Sequence, residues 1–218
     1  GIPDRRIHVL LNGVPPLPEP TPEQRTDTRA AYGFGPDDFV LGILARVEEY
    51  KGHRTVLEAV ERLAERGRPV RLLVAGEGSY LEQVRQMASA LPPGTVVLAG
   101  FVREVERALW AMDVQINASY ESETSSLSLL EGMSLGLPAV VSDCGGNPLL
   151  IREGENGLVF PMRNSGALAD RVADLMDHPE EWRRLSRGAK EIYQANYTGE
   201  IFAKHIEDIY WDILKGAK

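Results

Sequence analysis

The chain has 218 residues, 43% of them hydrophobic, with a formal net charge of −8 and one cysteine. Such apolar content fills a core and excludes wholesale disorder, and the acidic balance speaks against a nucleic-acid partner while leaving room for a local basic pocket. The lone thiol, Cys144, forms no internal disulfide, which fits a cytoplasmic, reducing setting.

No apolar run of about 18 residues and no signal peptide is found, so neither a membrane span nor export is expected. The start at Gly1-Ile2-Pro3 reads as a processed chain or a fragment. IHVLLNGVPPLPEPTPEQ opens extended, then turns proline-rich; Pro15, Pro16, Pro18, Pro20 and Pro22 read as a connector. Short apolar runs then alternate with helical patterns. Strands are predicted at 39–45, 70–76, 95–100, 113–119, 138–143 and 157–160. Helices are predicted at 53–67, 80–91, 103–112, a stretch starting near Ser125, 165–177, 179–195 and 200–215. The alternation predicts an α/β fold: a doubly wound, Rossmann-like parallel sheet with helices on both faces.

In such sheets ligands bind beyond the carboxyl ends of the strands. The residues that follow each strand are Arg46 with Lys51-Gly52, then Gly76-Glu77-Gly78, Gly100-Phe101-Val102, Ser119 to Glu123, and Ser142 to Gly146. Any one polar, glycine-rich loop is ordinary; five on one rim weigh more. An arginine fork and a lysine suit phosphate, although both residues also read as solvated charges in EEYKGHR. Position 81 is Leu, so Gly76-Glu77-Gly78 fails the G-x-G-x-x-G dinucleotide pattern, and no G-x-x-x-x-G-K-[ST] occurs.

The segment ESETSSLSLLEGMSLGLP carries two glutamates, Glu123 and Glu131. Ser125 and Ser126 read as capping hydroxyls, Leu127, Leu130 and Ser134 as one helix face, and Gly136 with Pro138 as its end. The free amides of such a start attract anions. Glu123 precedes it in the loop, and Glu131 lies about 9 Å down the helix from Ser125. Carboxylates there suit sugar hydroxyls; a first-turn charge and a surface helix residue are the plain alternatives.

At these residues the sequence resembles the C-terminal, donor-binding domain of GT-B glycosyltransferases and is most similar to the retaining family 4. The resemblance covers roughly residues 7–198 through VLLNGV, ARVEEYKG, LLVAGEG, LAGFV, the E-x7-E from Glu123 to Glu131, EGMSLGLPAVVSDCGGNP and EGENGLVF. It implies that Arg46 and Lys51 hold the diphosphate, that the amides of Ser125, Ser126 and Leu127 contact phosphate and sugar, and that Glu131 takes the ribose. It also implies that Glu123 meets the transferred sugar, Phe101-Val102 the base, and Gly76, Glu77 and Gly78 the pocket wall. The donor would be a UDP-, GDP- or ADP-linked sugar, with retention of configuration and no cofactor or metal required. The sequence departs from the usual pattern at Thr124, Ser125 and Ser126, at Leu149 and at Cys144, where a reactive thiol or a plain packing role are both open.

The resemblance further implies half an enzyme. Residues 1–22 would be linker and lead-in, 23–198 the nucleotide-sugar domain, and 199–218 a helix packing toward a missing N-terminal acceptor domain. Ile209, Tyr210, Ile213 and Leu214 would then be partly exposed, with Trp211 in that patch or in the core. The isolated chain would transfer little, and membrane association, peripheral at the inner face, would belong to the other half. Two rival readings are a non-catalytic partner-binding domain, against which Arg46, Lys51, Glu123 and Glu131 stand intact, and half of a sugar-nucleotide epimerase, which would not need E-x7-E spacing.

Overall fold

The computed structural model describes residues 7–216. Six strands form one parallel sheet: β1 (Val40–Leu44), β2 (Arg71–Ala75), β3 (Val96–Gly100), β4 (Val114–Asn117), β5 (Ala139–Ser142) and β6 (Gly157–Phe160). Their order is β3-β2-β1-β4-β5-β6, the doubly wound arrangement expected. The helices are α1 (Pro22–Ala31), α2 (His53–Glu65), α3 (Leu81–Ala88), α4 (Val105–Ala111), α5 (Leu127–Ser134), α6 (Asn147–Leu150), α7 (Ser165–Asp177), α8 (Pro179–Asn196) and α9 (Gly199–Gly216). No helix among the described residues is long and apolar enough to cross a membrane.

Successive strand residues point to opposite faces, and the core divides accordingly. Leu41, Ile43, Leu72 and Val74 pack with α2 and α7 residues such as Val60, Leu63, Leu168 and Val172. Val40, Leu73 and Ala75 pack on the other face with Ala108, Leu109 and Met112 of the α4 region. Gly42 shares that second face, where a Cβ would overlap Met112. A further cluster joins α5, α8 and the lead-in residue Val14.

Helix α1 was not foreseen; the proline run reads as connector up to Pro22. Its signal lies in Thr21-Pro22-Glu23-Gln24: Thr21 Oγ1 accepts from the Gln24 amide and Gln24 Oε1 from the Thr21 amide, a capping box with proline at the first helical position. The lead-in is also less linker-like than its prolines suggest. Val14 pairs with Thr198, and the Tyr193 hydroxyl donates to the Val14 carbonyl at 2.7 Å. Within α5, Leu130 and Ser134 are buried, but Leu127 is 51% exposed. The buried face is carried by Leu129, Leu130 and Met133; Leu127 shares a face with Leu130 and Ser134 by spacing but lines the cavity rather than the core. On α9, Tyr210, Trp211, Ile213 and Leu214 are exposed, which puts Trp211 in the apolar patch rather than the core.

Two polar groups outside the cavity matter for stability. Asp113, just before β4, accepts from Arg25 at 2.7 Å, from Arg29 and from the Val40 amide at 2.7 Å, so it anchors α1 against the sheet's amino-terminal rim. Arg29 is itself buried. His53, the first residue of α2, is wholly buried. Burial lowers its imidazole from 6.5 to about 4; the Glu48 carbonyl opposes this and the Lys51 charge adds to it.

Removing Asp113 leaves Arg29 as an uncompensated buried charge. D113A is expected to cost about 3 kcal/mol in urea unfolding, the usual penalty for breaking a buried pair. For His53, the unfolded chain takes up a proton near 6.5 and the folded chain only near 4. The unfolded state therefore binds more protons between those values, and stability falls as pH drops through that window. Urea melts from pH 7 to pH 4 should show His53→Leu losing less stability than the parent chain, by up to roughly 3 kcal/mol. Parallel pH curves for the two proteins would contradict this.

Candidate functional site

The carboxyl ends of β1 and β4 adjoin, and their connections leave in opposite directions. A cavity of about 380 Å³ opens there. Arg46 and Lys51 line it from the β1 side, Asn117, Ser119 and Glu123 from the β4 side, and Ser125 to Ser128 from the start of α5. A second cavity of about 260 Å³ shares Leu44, Ala45 and Arg46 with the first and continues to Gly76, Glu77, Phe101 and Val102. The two form one trench along the carboxyl rim, from β4 across β1 to β3.

Each wall has a local cause. Helix α5 sits close on β4 because position 132 is glycine; a Cβ there would overlap Gln115 Oε1, while Gln115 Nε2 holds the Ser128 carbonyl at 2.9 Å. Ser126 is the N-cap and accepts from the Leu129 amide. Ser125 is not a cap: its hydroxyl accepts from the Asn12 amide at 2.9 Å, and Asn12 Nδ2 donates back to the Ser125 carbonyl at 3.2 Å. Among the described residues the amides of Ser125, Ser126 and Leu127 donate to no backbone carbonyl, and all three residues line the first cavity.

The charged residues are coupled in a way the sequence did not reveal. Lys51 Nζ donates to Glu123 Oε2 at 2.9 Å, with both side chains largely buried. Asn117 Nδ2 at 3.0 Å and the Ser119 hydroxyl at 2.9 Å donate to the same oxygen. Burial alone would raise the Glu123 carboxyl, but these hydrogen bonds and the Lys51 charge outweigh it and hold the group below its usual range. Arg46 donates to the Tyr50 hydroxyl at 2.7 Å, and the Tyr50 ring lies 5.4 Å from Lys51 Nζ. Tyr50 thus touches both cations, and its carbonyl accepts the Tyr120 amide at 3.0 Å. On Tyr120's ring stacks the Arg163 guanidinium, 3.9 Å from the centroid, from a backbone at φ 59°.

Two of the expected residues stand apart. Gly78 lines neither cavity; it lies so close to the Val47 backbone that a Cβ would overlap it. Glu131 also lines neither, but it follows Leu127 by one helical turn and so continues the same face of α5 away from the cavity. Burial, and then the charge of Glu106, push its carboxyl up, and no cation lies within ion-pairing distance among the described residues. Cys144 is buried, and burial, with the nearby Glu123 and Asp143 charges, raises its thiol, which favours the packing role. Asn117, Ser119, Tyr50 and Asn12 were not foreseen as site residues. Ser119 stood in the loop after the fourth strand; Asn117 and Tyr50 reach Glu123 and Arg46 only six and four positions away, while Asn12 meets Ser125 across 113 positions.

Comparison with known proteins places this geometry. Residues 38–178 match the Glycosyl transferases group 1 family. The EpsD protein of Bacillus subtilis (strain 168) is 30% identical over 191 residues, covering 87% of this chain and 50% of that protein. The alpha-D-kanosaminyltransferase of Streptomyces kanamyceticus is 27% identical over 195 residues, covering 88% of this chain and 50% of its own length. The chain thus spans about half the length of the curated relatives it matches. The crystal structure of Anabaena Alr3699/HepE in complex with UDP and glucose superposes with a TM-score of 0.82 at 20% identity, over 88% of this chain and 53% of that one, which shows a shared fold. The family match covers well over half of the sequence, and the chain belongs to the Glycosyl transferases group 1 family.

Proposed function

We propose that this chain is the donor-binding half of a retaining, family 4 type GT-B glycosyltransferase, which moves a hexosyl unit from a nucleoside diphosphate sugar to an acceptor. The observation that carries this reading is the meeting of Arg46, Lys51, the open amides of α5 and the Glu123 carboxylate in one cavity at the β1–β4 junction. Cations and a helix start beside a hydrogen-bonding carboxylate suit a diphosphate joined to a sugar. The adjoining trench, lined by Leu44, Phe101 and Val102, suits a flat base.

In this reading the diphosphate lies against Arg46, Lys51 and the amides of Ser125, Ser126 and Leu127. Glu123 accepts from hydroxyls of the transferred sugar and Glu131 from the ribose. Gly76, Glu77, Phe101 and Val102 enclose the base. As the bond from the anomeric carbon to the diphosphate oxygen breaks, its electron pair moves onto the leaving phosphate. Two fixed cations and a helix dipole stabilise that charge without a metal. The acceptor hydroxyl attacks from the leaving-group side, which keeps the configuration, and its proton passes to the departing phosphate oxygen. Acceptor binding belongs to a second, N-terminal domain, a reading supported by the length of the relatives and by the apolar patch on α9. By itself the chain should bind donor and transfer little.

Titration calorimetry with UDP, GDP and ADP, free and sugar-linked, tests the proposal. One nucleotide series should bind. Arg46→Ala and Lys51→Ala should each weaken it by roughly tenfold or more, the scale of a lost charge-assisted hydrogen bond. Absence of heat with all six ligands, or affinities untouched by both substitutions, would overturn the assignment.

A further inference from the structure

The loop that carries Glu123 rests on a buried polar chain to which the proposed transfer assigns no role. It begins at Asn147, the first residue of α6, which is wholly buried. The Asn147 amide donates to Ser142 Oγ at 3.2 Å and to Asn117 Oδ1 at 3.4 Å. The direction of donation follows from the neighbours. The Ser142 hydroxyl gives its own proton to the Ser119 carbonyl at 2.5 Å, so its oxygen is left to accept. The Ser119 amide donates to Asn117 Oδ1 at 3.2 Å, which turns Asn117 Nδ2 toward Glu123. Donation therefore runs from Asn147 through Asn117 to Glu123 Oε2.

Asn147 Oδ1 is buried without a partner. The acceptor end of the amide is left unpaired while the donor end serves the chain. The backbone braces the same loop: the Gly146 amide donates to the Glu123 carbonyl at 2.9 Å. A Cβ at Gly145 or Gly146 would overlap the Glu123 or Thr124 carbonyl oxygen.

We propose that Asn147 is a positioning residue for recognition of the donor sugar, acting through Asn117 to fix the Glu123 carboxylate with Oε2 saturated and Oε1 open to the cavity. This rests on the reading of Glu123 as the group that meets the sugar. Asn147 touches neither the donor nor the reacting atoms; its effect appears only in how Glu123 is held.

Two measurements on the chain test it. Carbon-13 NMR follows the Glu123 carboxyl titration without any ligand. Asn147→Ala should move its midpoint upward, and the same substitution placed on Asn117→Ala should add little, because the link is already cut. Calorimetry with UDP-glucose and UDP gives the second arm: UDP-glucose affinity should fall by about fivefold, the size of one neutral hydrogen bond, with UDP nearly unchanged. If Asn147→Ala does not fold, Asn147→Ser and Asn117→Ala carry the same comparisons. An unchanged Glu123 midpoint, or equal losses for UDP-glucose and UDP, would overturn the positioning role. If Glu123→Gln leaves UDP-glucose affinity intact, the sugar reading of Glu123 fails, and with it the recognition role, whatever the midpoint does.

Discussion

The site exists because two neighbouring parallel strands, β1 and β4, send their connections to opposite faces of the sheet. A gap opens between those connections, and it cannot be filled from the sheet itself. What borders it is mostly backbone at close quarters. Position 52 must be glycine because a Cβ would overlap the Ala118 carbonyl, and Gly52 also sits at φ 74°. Gly76 meets the Ala45 carbonyl in the same way. These contacts let the loops stack without side chains between them, so the trench is walled by rigid main chain and its few polar side chains are set into that wall.

Electrostatically the gap is the opposite of the whole. The chain carries a net charge of −8, yet Arg46, Lys51 and the start of α5 line one cavity with a single carboxylate, which Lys51 holds. In the proposed role Lys51 would stand between two anions, the carboxylate it already holds and the incoming diphosphate. Its position is set by Glu123 before any ligand arrives, so little side-chain freedom is left to lose on binding. Tyr50 does the same for Arg46, as its hydroxyl accepts the guanidinium.

Much of the fold was legible in the sequence. Strands and helices fell within a few residues of their predicted limits, because each is set by local periodicity that a single chain displays. Helix α1 was missed because the weight of five prolines hid a capping box that was written in plain order. Leu127 shares its helix face with Leu130 and Ser134, but it stands in the first turn beside the cavity and so is exposed where they are buried. Gathering of the site residues on one rim followed from the strand–helix alternation, since in a parallel sheet every strand ends on the same side. Their pairing did not. Lys51 meets Glu123 across 72 positions, and Ser125 meets Asn12 across 113. Such contacts depend on how loops stack, and nothing local announces them. Gly78 shows the converse: a glycine in the right loop can serve packing rather than the pocket.

The three donors gathered on Glu123 Oε2 make the two oxygens of that carboxylate unequal. A freely rotating carboxylate accepts from many directions and reads charge more than shape. One with an oxygen saturated and its plane fixed accepts along a narrow set of lone-pair directions. In the proposed donor-binding role, a group held in that way would distinguish an axial from an equatorial hydroxyl on the same ring carbon. It would be a reader of stereochemistry, built from nothing rarer than a lysine, an asparagine and a serine.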